Sequence, residues 1–309
     1  MIRKILTFCA AFCALLSADM VYAAAPLKVV SFNIVVSNHE TENGWNIRKS
    51  AIAYFLNEEK PDVVGLQEAT YMEIVYLLEQ LPDYAYYILT LPFWIFANLV
   101  PWILPQGLSQ VALFVWFFFI KYVGSISNSF YNPAYTAILY NKQTIEPMQQ
   151  GEFWLSPTPD RPSRSWNDEQ QTKIEPHPGA MKYNRVCTWM QLKHKPSKKE
   201  FFHFNTHLEF GYHANYNLGQ TAREKGVELI VERMKLLTGE SAVILTGDMN
   251  QVSGDKCFNP VFEWAMKDAR IEAKRVVSEE NRNSVTWNGF KFSAPDKAPT
   301  QESEEKAQG

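Results

Sequence analysis

Short apolar segments, separated by polar turns, divide most of the chain into strands and a few amphipathic helices. Segments rich in β-branched and aromatic residues predict strands over 27–36, 62–68, 135–140, 152–155, 185–192, 201–208 and 242–248, with a further strand from Tyr84. Apolar residues at a spacing of three to four predict helices over 46–57, 70–80, 220–237 and 260–267. Many strands with a few interposed helices predict an α/β domain built on two sheets.

The first 23 residues have the pattern of a secretory signal peptide. Arg3 and Lys4 precede an apolar run from Ile5 to Leu16, and Val21 and Ala23 complete the pattern of a cleavage site. An uncleaved anchor is the alternative, but the run is shorter than the roughly 20 residues that a spanning helix needs. We therefore expect an exported protein, periplasmic or secreted, with a signal peptide over residues 1–23.

Polar side chains occur where four of the apolar strands end. The strings are Ser-Phe-Asn at 31–33, Gln-Glu at 67–68, Asn-Thr-His at 205–207 and Gly-Asp-Met-Asn at 247–250. Side chains at i and i+2 of a strand point the same way, so Asn205 and His207 can face one site. Taken singly, each string has an ordinary structural explanation, such as a turn for Gly-Asp-x-Asn. Together they supply hard oxygen ligands, which suit Mg²⁺ or Mn²⁺ and a phosphate better than Zn²⁺.

The ordered set resembles the endonuclease/exonuclease/phosphatase family, whose fold is that of deoxyribonuclease I. Local strings such as Gly-Glu-Phe-Trp-Leu-Ser at 151–156 look like a bacterial branch of exported hydrolases and sugar-phosphate phosphatases. The resemblance covers about residues 27–290, apart from an insert. It implies a four-layer α/β sandwich of two mostly antiparallel sheets flanked by helices, which we place at residues 24–292.

The resemblance implies a metal-assisted attack of water on phosphorus. Glu68 would be the main Mg²⁺ (or Mn²⁺) ligand, with Asn33 beside it. Asp248 and Asn250 would orient the attacking water and touch the phosphate. The metal would neutralise the charge that develops in this in-line reaction.

The resemblance also implies which groups act on the phosphoryl oxygens. His207, steadied by Asn205, would stabilise negative charge on them. Arg185 is a candidate phosphate contact, and an ordinary arginine at a strand end is the alternative. The expected substrate is a phosphate ester, and the residues leave open whether it is a monoester or a diester.

The C-terminal residues depart from the family pattern. Relatives usually end in an Asp-containing strand and a Ser-Asp-His string, whereas residues 284–290 look like the segment before that strand, and residues 293–309 have the composition of a disordered polar tail. We therefore expect the last strands to be missing, one sheet edge to be unpaired, and activity to be weak or absent. The alternative function is that of a catalytically impaired, truncated relative that binds a membrane or a partner.

An apolar insert, which we place at residues 89–130, replaces a loop that is usually short and polar. Residues 84–131 hold 15 aromatic residues, and Lys121 is the one charged residue between 84 and 134. We expect residues 91–123 to dock on a lipid or membrane surface; a buried sub-core at an oligomer interface and a spanning helix over 108–123 are the alternatives. The proposed docking residues are Trp94, Trp102, Trp116, Phe117, Phe118 and Phe119.

The charge balance bears on the choice of partner. The net charge is −3, which excludes a basic domain held to nucleic acid by bulk charge, although a nuclease with a local basic patch stays possible. The near-neutral charge and the apolar insert together favour an exported Mg²⁺-dependent phosphoesterase that acts on a phospholipid or sphingomyelin-type head group. A secreted nuclease and a sugar-phosphate phosphatase are the alternatives, and the oligomeric state is open.

Overall fold

The computed structural model describes residues 25–35, 44–87, 136–161, 163, 165–166, 185–210, 216–252 and 254–274. The predicted signal peptide, the aromatic insert with its six docking residues, the 284–290 segment and the polar tail lie outside the described residues. These assignments therefore stay predictions. None of the helices in the described ranges is long and apolar enough to cross a membrane.

The described residues form eight strands and five α-helices, with one short 3-10 helix at Lys256–Phe258. The strands are β1 (Val29–Asn33), β2 (Val63–Gln67), β3 (Tyr84–Tyr87), β4 (Ala137–Asn141), β5 (Ile145–Trp154), β6 (Val186–His194), β7 (Lys199–His207) and β8 (Ala242–Asp248). The helices are α1 (Trp45–Glu59), α2 (Tyr71–Gln80), α3 (Tyr216–Thr238), α4 (Asn259–Glu263) and α5 (Ala269–Glu272).

The strands make two four-stranded sheets, in the orders β1-β2-β4-β3 and β5-β6-β7-β8. Each sheet has one parallel pair, β1 with β2 and β7 with β8, and its other neighbours are antiparallel. Within the described ranges, β1 and β8 each pair with one strand and so form sheet edges. The predicted α/β fold of two mostly antiparallel sheets is confirmed.

Three apolar clusters account for the layers. Helices α1 and α2 cover the first sheet, where Leu56 and Ile74 are fully buried. Helix α3 covers the second sheet through Ile230 and Met234. The third cluster lies between the sheets and includes Val63 of β2 with Phe201 of β7 and other apolar residues. The result is four layers in the order helix, sheet, sheet, helix.

Strand β5 is longer than the pattern predicts, because residues 146–150 in its first half are exposed and include no β-branched or aromatic residue. Prediction placed a strand over 152–155, whereas β5 begins at Ile145. The residues from 146 to 150 are exposed, as expected for the edge of a sheet, and the register shifts between Pro147 and Gln149. Proline has no N–H to donate to a neighbouring strand, so within sheets it is confined to such edges and irregularities.

Candidate active site

The ends of four strands meet at one edge of the sandwich. Asn33 ends β1, Glu68 follows β2, and the pairing of β7 with β8 places His207 opposite Asp248. The Asn33 Nδ2 group donates to Glu68 Oε1 at 3.1 Å and to Asp248 Oδ2 at 2.7 Å. One amide therefore joins a carboxylate from each sheet, which brings together residues that lie far apart in sequence.

Tight turns directly after the strands orient these side chains. Val35, Glu68 and Asn250 have positive φ angles of 57°, 57° and 47°. The side chain of Asn33 accepts from the Val35 N–H at 2.8 Å, and Asp248 Oδ1 accepts from the Asn250 N–H at 3.0 Å. Both are local side-chain bonds to a backbone two residues on, which is how Asn and Asp stabilise turns.

The Asn33 amide, whose predicted role as a metal ligand stays a prediction, uses both of its polar atoms in hydrogen bonds. Its oxygen is engaged by the Val35 N–H, and its nitrogen faces the two carboxylates. An amide nitrogen is a donor and offers no lone pair to a cation. In this structure Asn33 therefore bridges the carboxylates, and the turn at Val35 is the physical reason.

The His207 ring is buried and lies beside Asp248 and Asn250. Its Nε2 atom is 3.0 Å from Asn250 Nδ2 and 3.8 Å from Asp248 Oδ2. The Asn250 amide also donates to the Leu208 carbonyl at 2.9 Å, so its nitrogen is the donor and Nε2 accepts. Burial, with a smaller effect from the charge of Arg185, lowers the His207 pKa to about 2, which keeps the ring neutral.

Asn205 does not contact His207, contrary to the prediction that it steadies this ring. Its side-chain oxygen accepts from Gln67 Nε2 at 2.7 Å and from Thr246 Oγ1 at 3.0 Å. Its nitrogen donates to the carbonyls of Leu66 and Ala137 at 2.8 and 3.0 Å. The two side chains share a face of β7, as alternation predicts. However, residues two apart on a strand are roughly 7 Å apart, so they meet different neighbours.

Arg185, the predicted phosphate contact, is 4% exposed and lies inside the protein. Its Nη2 atom is 3.5 Å from Glu209 Oε1, and Glu209 is also almost buried. The structure thus records a buried ion pair at this position instead of an arginine that reaches out toward solvent. The charge of Arg185 still bears on the site, because it contributes to the lowered pKa of His207.

Arg48 is a site residue to which the sequence assigned no role. It extends from α1 and donates to the carbonyl of Ile34 and, at 2.8 Å, to that of Val35. Burial lowers its pKa, while the nearby charges of Glu73 and Glu68 oppose that shift. Arg48 therefore holds the turn after β1 and places a positive charge near Glu68. The helical spacing of α1 carries no signal for such a contact.

The donors at this edge fit a small, hard divalent cation. Glu68 Oε1 and Asp248 Oδ2 contact the same amide nitrogen, so both are within reach of one ion. Carboxylate oxygens are preferred ligands of Mg²⁺, which is often held by one or two of them with water and substrate phosphate. Across the described ranges, no cluster of three or more His, Cys, Asp or Glu side chains could hold a metal.

The sequence is distantly similar to one viral protein. No family model matches the sequence. An uncharacterized protein of Acanthamoeba polyphaga mimivirus is 22% identical over 232 residues, which are 72% of this chain and 67% of the viral protein.

Solved structures give a clearer likeness. An endonuclease/exonuclease/phosphatase family protein from Bacteroides thetaiotaomicron is 24% identical, with a TM-score of 0.55 over 77% of this chain and 68% of its own. The mannosyl-6-phosphatase of the same organism is also 24% identical, with a TM-score of 0.54 over 77% and 71%. An endonuclease/exonuclease/phosphatase from Bacteroides vulgatus is 20% identical, with a TM-score of 0.54 over 77% and 70%. The chain therefore has the fold of the endonuclease/exonuclease/phosphatase proteins.

Proposed function

We propose that the chain is a member of the endonuclease/exonuclease/phosphatase family and a divalent-metal-dependent phosphoesterase. The observation that carries this proposal is the junction of Glu68 and Asp248 on the Asn33 amide, with His207 and Asn250 beside them. Two carboxylates and a neutral imidazole at the open end of two sheets suit metal-assisted hydrolysis of a phosphate ester.

In this proposal Glu68 and Asp248 would hold Mg²⁺ or Mn²⁺, which when bound supplies charge neutralisation at the phosphoryl oxygens. Asp248 also orients the attacking water. The Asn250 N–H fixes Oδ1 of that carboxylate at 3.0 Å, and this leaves Oδ2 directed toward Asn33 and His207. His207 stays neutral and is held by the Asn250 amide, so the ring adds no positive charge beside the two carboxylates.

The substrate and location are proposed from features outside the described residues. The pattern of residues 1–23 supports export, and the apolar residues 91–123 support docking on a lipid surface. A phospholipid or sphingomyelin-type head group is the substrate class that unites the two features. The likeness to a mannosyl-6-phosphatase favours a sugar phosphate as the second candidate.

Hydrolysis of bis-p-nitrophenyl phosphate and p-nitrophenyl phosphate with Mg²⁺ tests the proposed chemistry. We expect weak turnover that EDTA abolishes and that Glu68→Ala reduces to background, because the variant removes a carboxylate of the metal site. The diester and monoester arms show which ester class is preferred. Turnover that is unaffected by both EDTA and Glu68→Ala would contradict the proposal.

Docking on lipid has a separate test, because it depends on the insert and not on the described site. We expect the mature protein to float with liposomes that contain phosphatidylcholine and sphingomyelin. Deletion of residues 91–123 should abolish flotation, since this segment carries the proposed aromatic contacts. A full-length protein that stays in the aqueous fraction contradicts docking but leaves the proposed chemistry standing.

A further inference from the structure

A row of hydrogen-bonded polar side chains joins the two sheets just behind the candidate active site. We call it the inter-sheet polar seam. Three of its members, Gln67, His203 and Asn205, are at most 1% exposed, and Thr246 is 8% exposed. Its outer member is Ser31, whose Oγ accepts from the Gly247 N–H of β8 at 3.1 Å. Polar groups this deeply buried are costly unless they are satisfied, so their arrangement requires a physical reason.

Asn205 is the centre of the seam and uses all four hydrogen bonds that its amide commonly makes. Its nitrogen donates across the interface to the carbonyls of Leu66 and Ala137, in β2 and β4. Its oxygen accepts from Gln67 of β2 and from Thr246 of β8. Because two carbonyls face the nitrogen and two donors face the oxygen, the amide has a single orientation.

The hydroxyl of Thr246 continues the row in one direction. The Asn205 oxygen can only accept, so the Thr246 hydroxyl donates to it at 3.0 Å. His203 Nε2 lies 2.8 Å from the same hydroxyl oxygen and must therefore donate to it. Burial lowers the His203 pKa to about 3, which agrees with a neutral ring in this position.

The two sheets also approach unusually closely at this point. A β-carbon added at Gly65 would lie 2.2 Å from Thr246 Oγ1 and 2.6 Å from Asn205 Oδ1. Glycine is the residue that permits this approach, because it has no side chain. Gly65 of β2 thus packs directly against two members of the seam.

Four seam members lie one or two residues before a site residue; three of them share a strand with it, and Gln67 ends β2 directly before Glu68. The pairs are Ser31 with Asn33, Gln67 with Glu68, Asn205 with His207, and Thr246 with Asp248. A strand is stiff over so short a distance, so a displacement of the seam moves the site residue with it.

We infer that the inter-sheet polar seam is a positioning device, with Gln67, Asn205 and Thr246 as positioning residues that hold the carboxylates of the two sheets at metal-binding separation. The inference rests on the proposed function, since it concerns the same site. It goes beyond that function by assigning a role to residues that touch neither metal nor substrate. It also gives Asn205 a different role from the one that the sequence implied.

A pair of threonine variants tests the inference. Thr246→Val removes a seam hydroxyl at constant size. Thr206→Val, the matched control, removes a buried hydroxyl from β7 that bonds the Val186 carbonyl at 3.0 Å and, by alternation, faces away from the seam. Both variants should lower the unfolding midpoint, since each loses a buried hydrogen bond. Mn²⁺ affinity, measured by electron paramagnetic resonance of the free ion, separates them.

We expect Thr246→Val to weaken Mn²⁺ binding about 10- to 100-fold, the range seen when a group behind a metal ligand is removed. Thr206→Val should bind Mn²⁺ as the wild type does, and Thr246→Ser should recover most of the affinity because it keeps the hydroxyl. In hydrolysis assays, kcat should fall for Thr246→Val while KM stays unchanged.

Equal Mn²⁺ affinities for wild type, Thr246→Val and Thr206→Val would overturn the inference. Equal losses in the two valine variants would do the same, because they would show a general effect of stability. A wild type that binds Mn²⁺ but hydrolyses no ester would remove the proposed function alone, since the seam is measured through metal affinity.

Discussion

Asp248→Asn is expected to lower kcat for phosphate-ester hydrolysis about 10²- to 10⁴-fold, the range of a lost proton-handling or water-orienting group. The physical reason is the position of its carboxylate, which contacts Asn33 Nδ2 at 2.7 Å and lies 3.8 Å from His207 Nε2. Asparagine keeps the shape of the side chain but removes the charge that attracts the metal and orients water. Steady-state kinetics at saturating Mg²⁺ measure the effect.

The loss in Asp248→Asn should be separable from stability. An amide that keeps its oxygen on the Asn250 N–H turns its nitrogen toward Asn33 Nδ2, so the bond between these two side chains is lost and the unfolding free energy should fall by about 1–3 kcal/mol. Kinetics are therefore compared at a temperature at which urea unfolding shows both proteins to be folded. Asp255→Asn is the matched control, because Asp255 accepts from the Cys257 N–H at 2.8 Å in a similar local turn. That control should retain activity. A loss of less than about tenfold in Asp248→Asn would contradict the assigned role.

Gly65→Ala is expected to destabilise the fold by about 3 kcal/mol, the upper end of the cost of overpacking a core. The new methyl group would overlap Thr246 Oγ1 and Asn205 Oδ1, at 2.2 and 2.6 Å. Asn205 has little freedom to move away, because its amide makes four hydrogen bonds. Urea unfolding followed by tryptophan fluorescence measures the change in free energy.

Gly226→Ala provides the opposite result with the same chemical change. Gly226 lies within α3, and an added β-carbon would be 3.5 Å from its nearest neighbour, Leu155 Cδ1, an ordinary contact. Alanine is favoured over glycine inside a helix, so this variant should gain about 0.5–1 kcal/mol. Similar effects of the two substitutions would show that the close approach of the sheets at Gly65 is not a constraint.

The strands and layers were predictable because their signal is local. Residues 242–248 are predicted as a strand and form β8 with those bounds, since the segment contains the strand-forming residues 243–246. The first half of β5 is not predicted because residues 146–150 face solvent at an edge and include no β-branched or aromatic residue. Local pattern therefore identifies strands with a buried face and fails where neither face is buried.

The site was predictable in its membership and less so in its contacts. Alternation placed Asn205 and His207 on one face of β7, but it could not show that Asn205 meets the opposite sheet. The bridge made by Asn33 and the clamp made by Arg48 depend on how elements pack, which spacing along one strand or helix does not encode. Partners from other elements thus required the three-dimensional structure.

The left-handed backbone at Val35, Glu68 and Asn250 affects which substitutions would raise the thermal stability of the protein. A non-glycine residue in this region costs of order 1–3 kcal/mol, and a β-branched one such as Val35 is among the least tolerant. Three such residues at one edge mean that the local chain is held in a conformation it would leave if the surrounding contacts were weakened. Selection for thermal stability alone should therefore favour substitutions at these three positions first. Because these turns orient the side chains of the candidate site, the stabilised variants should lose activity.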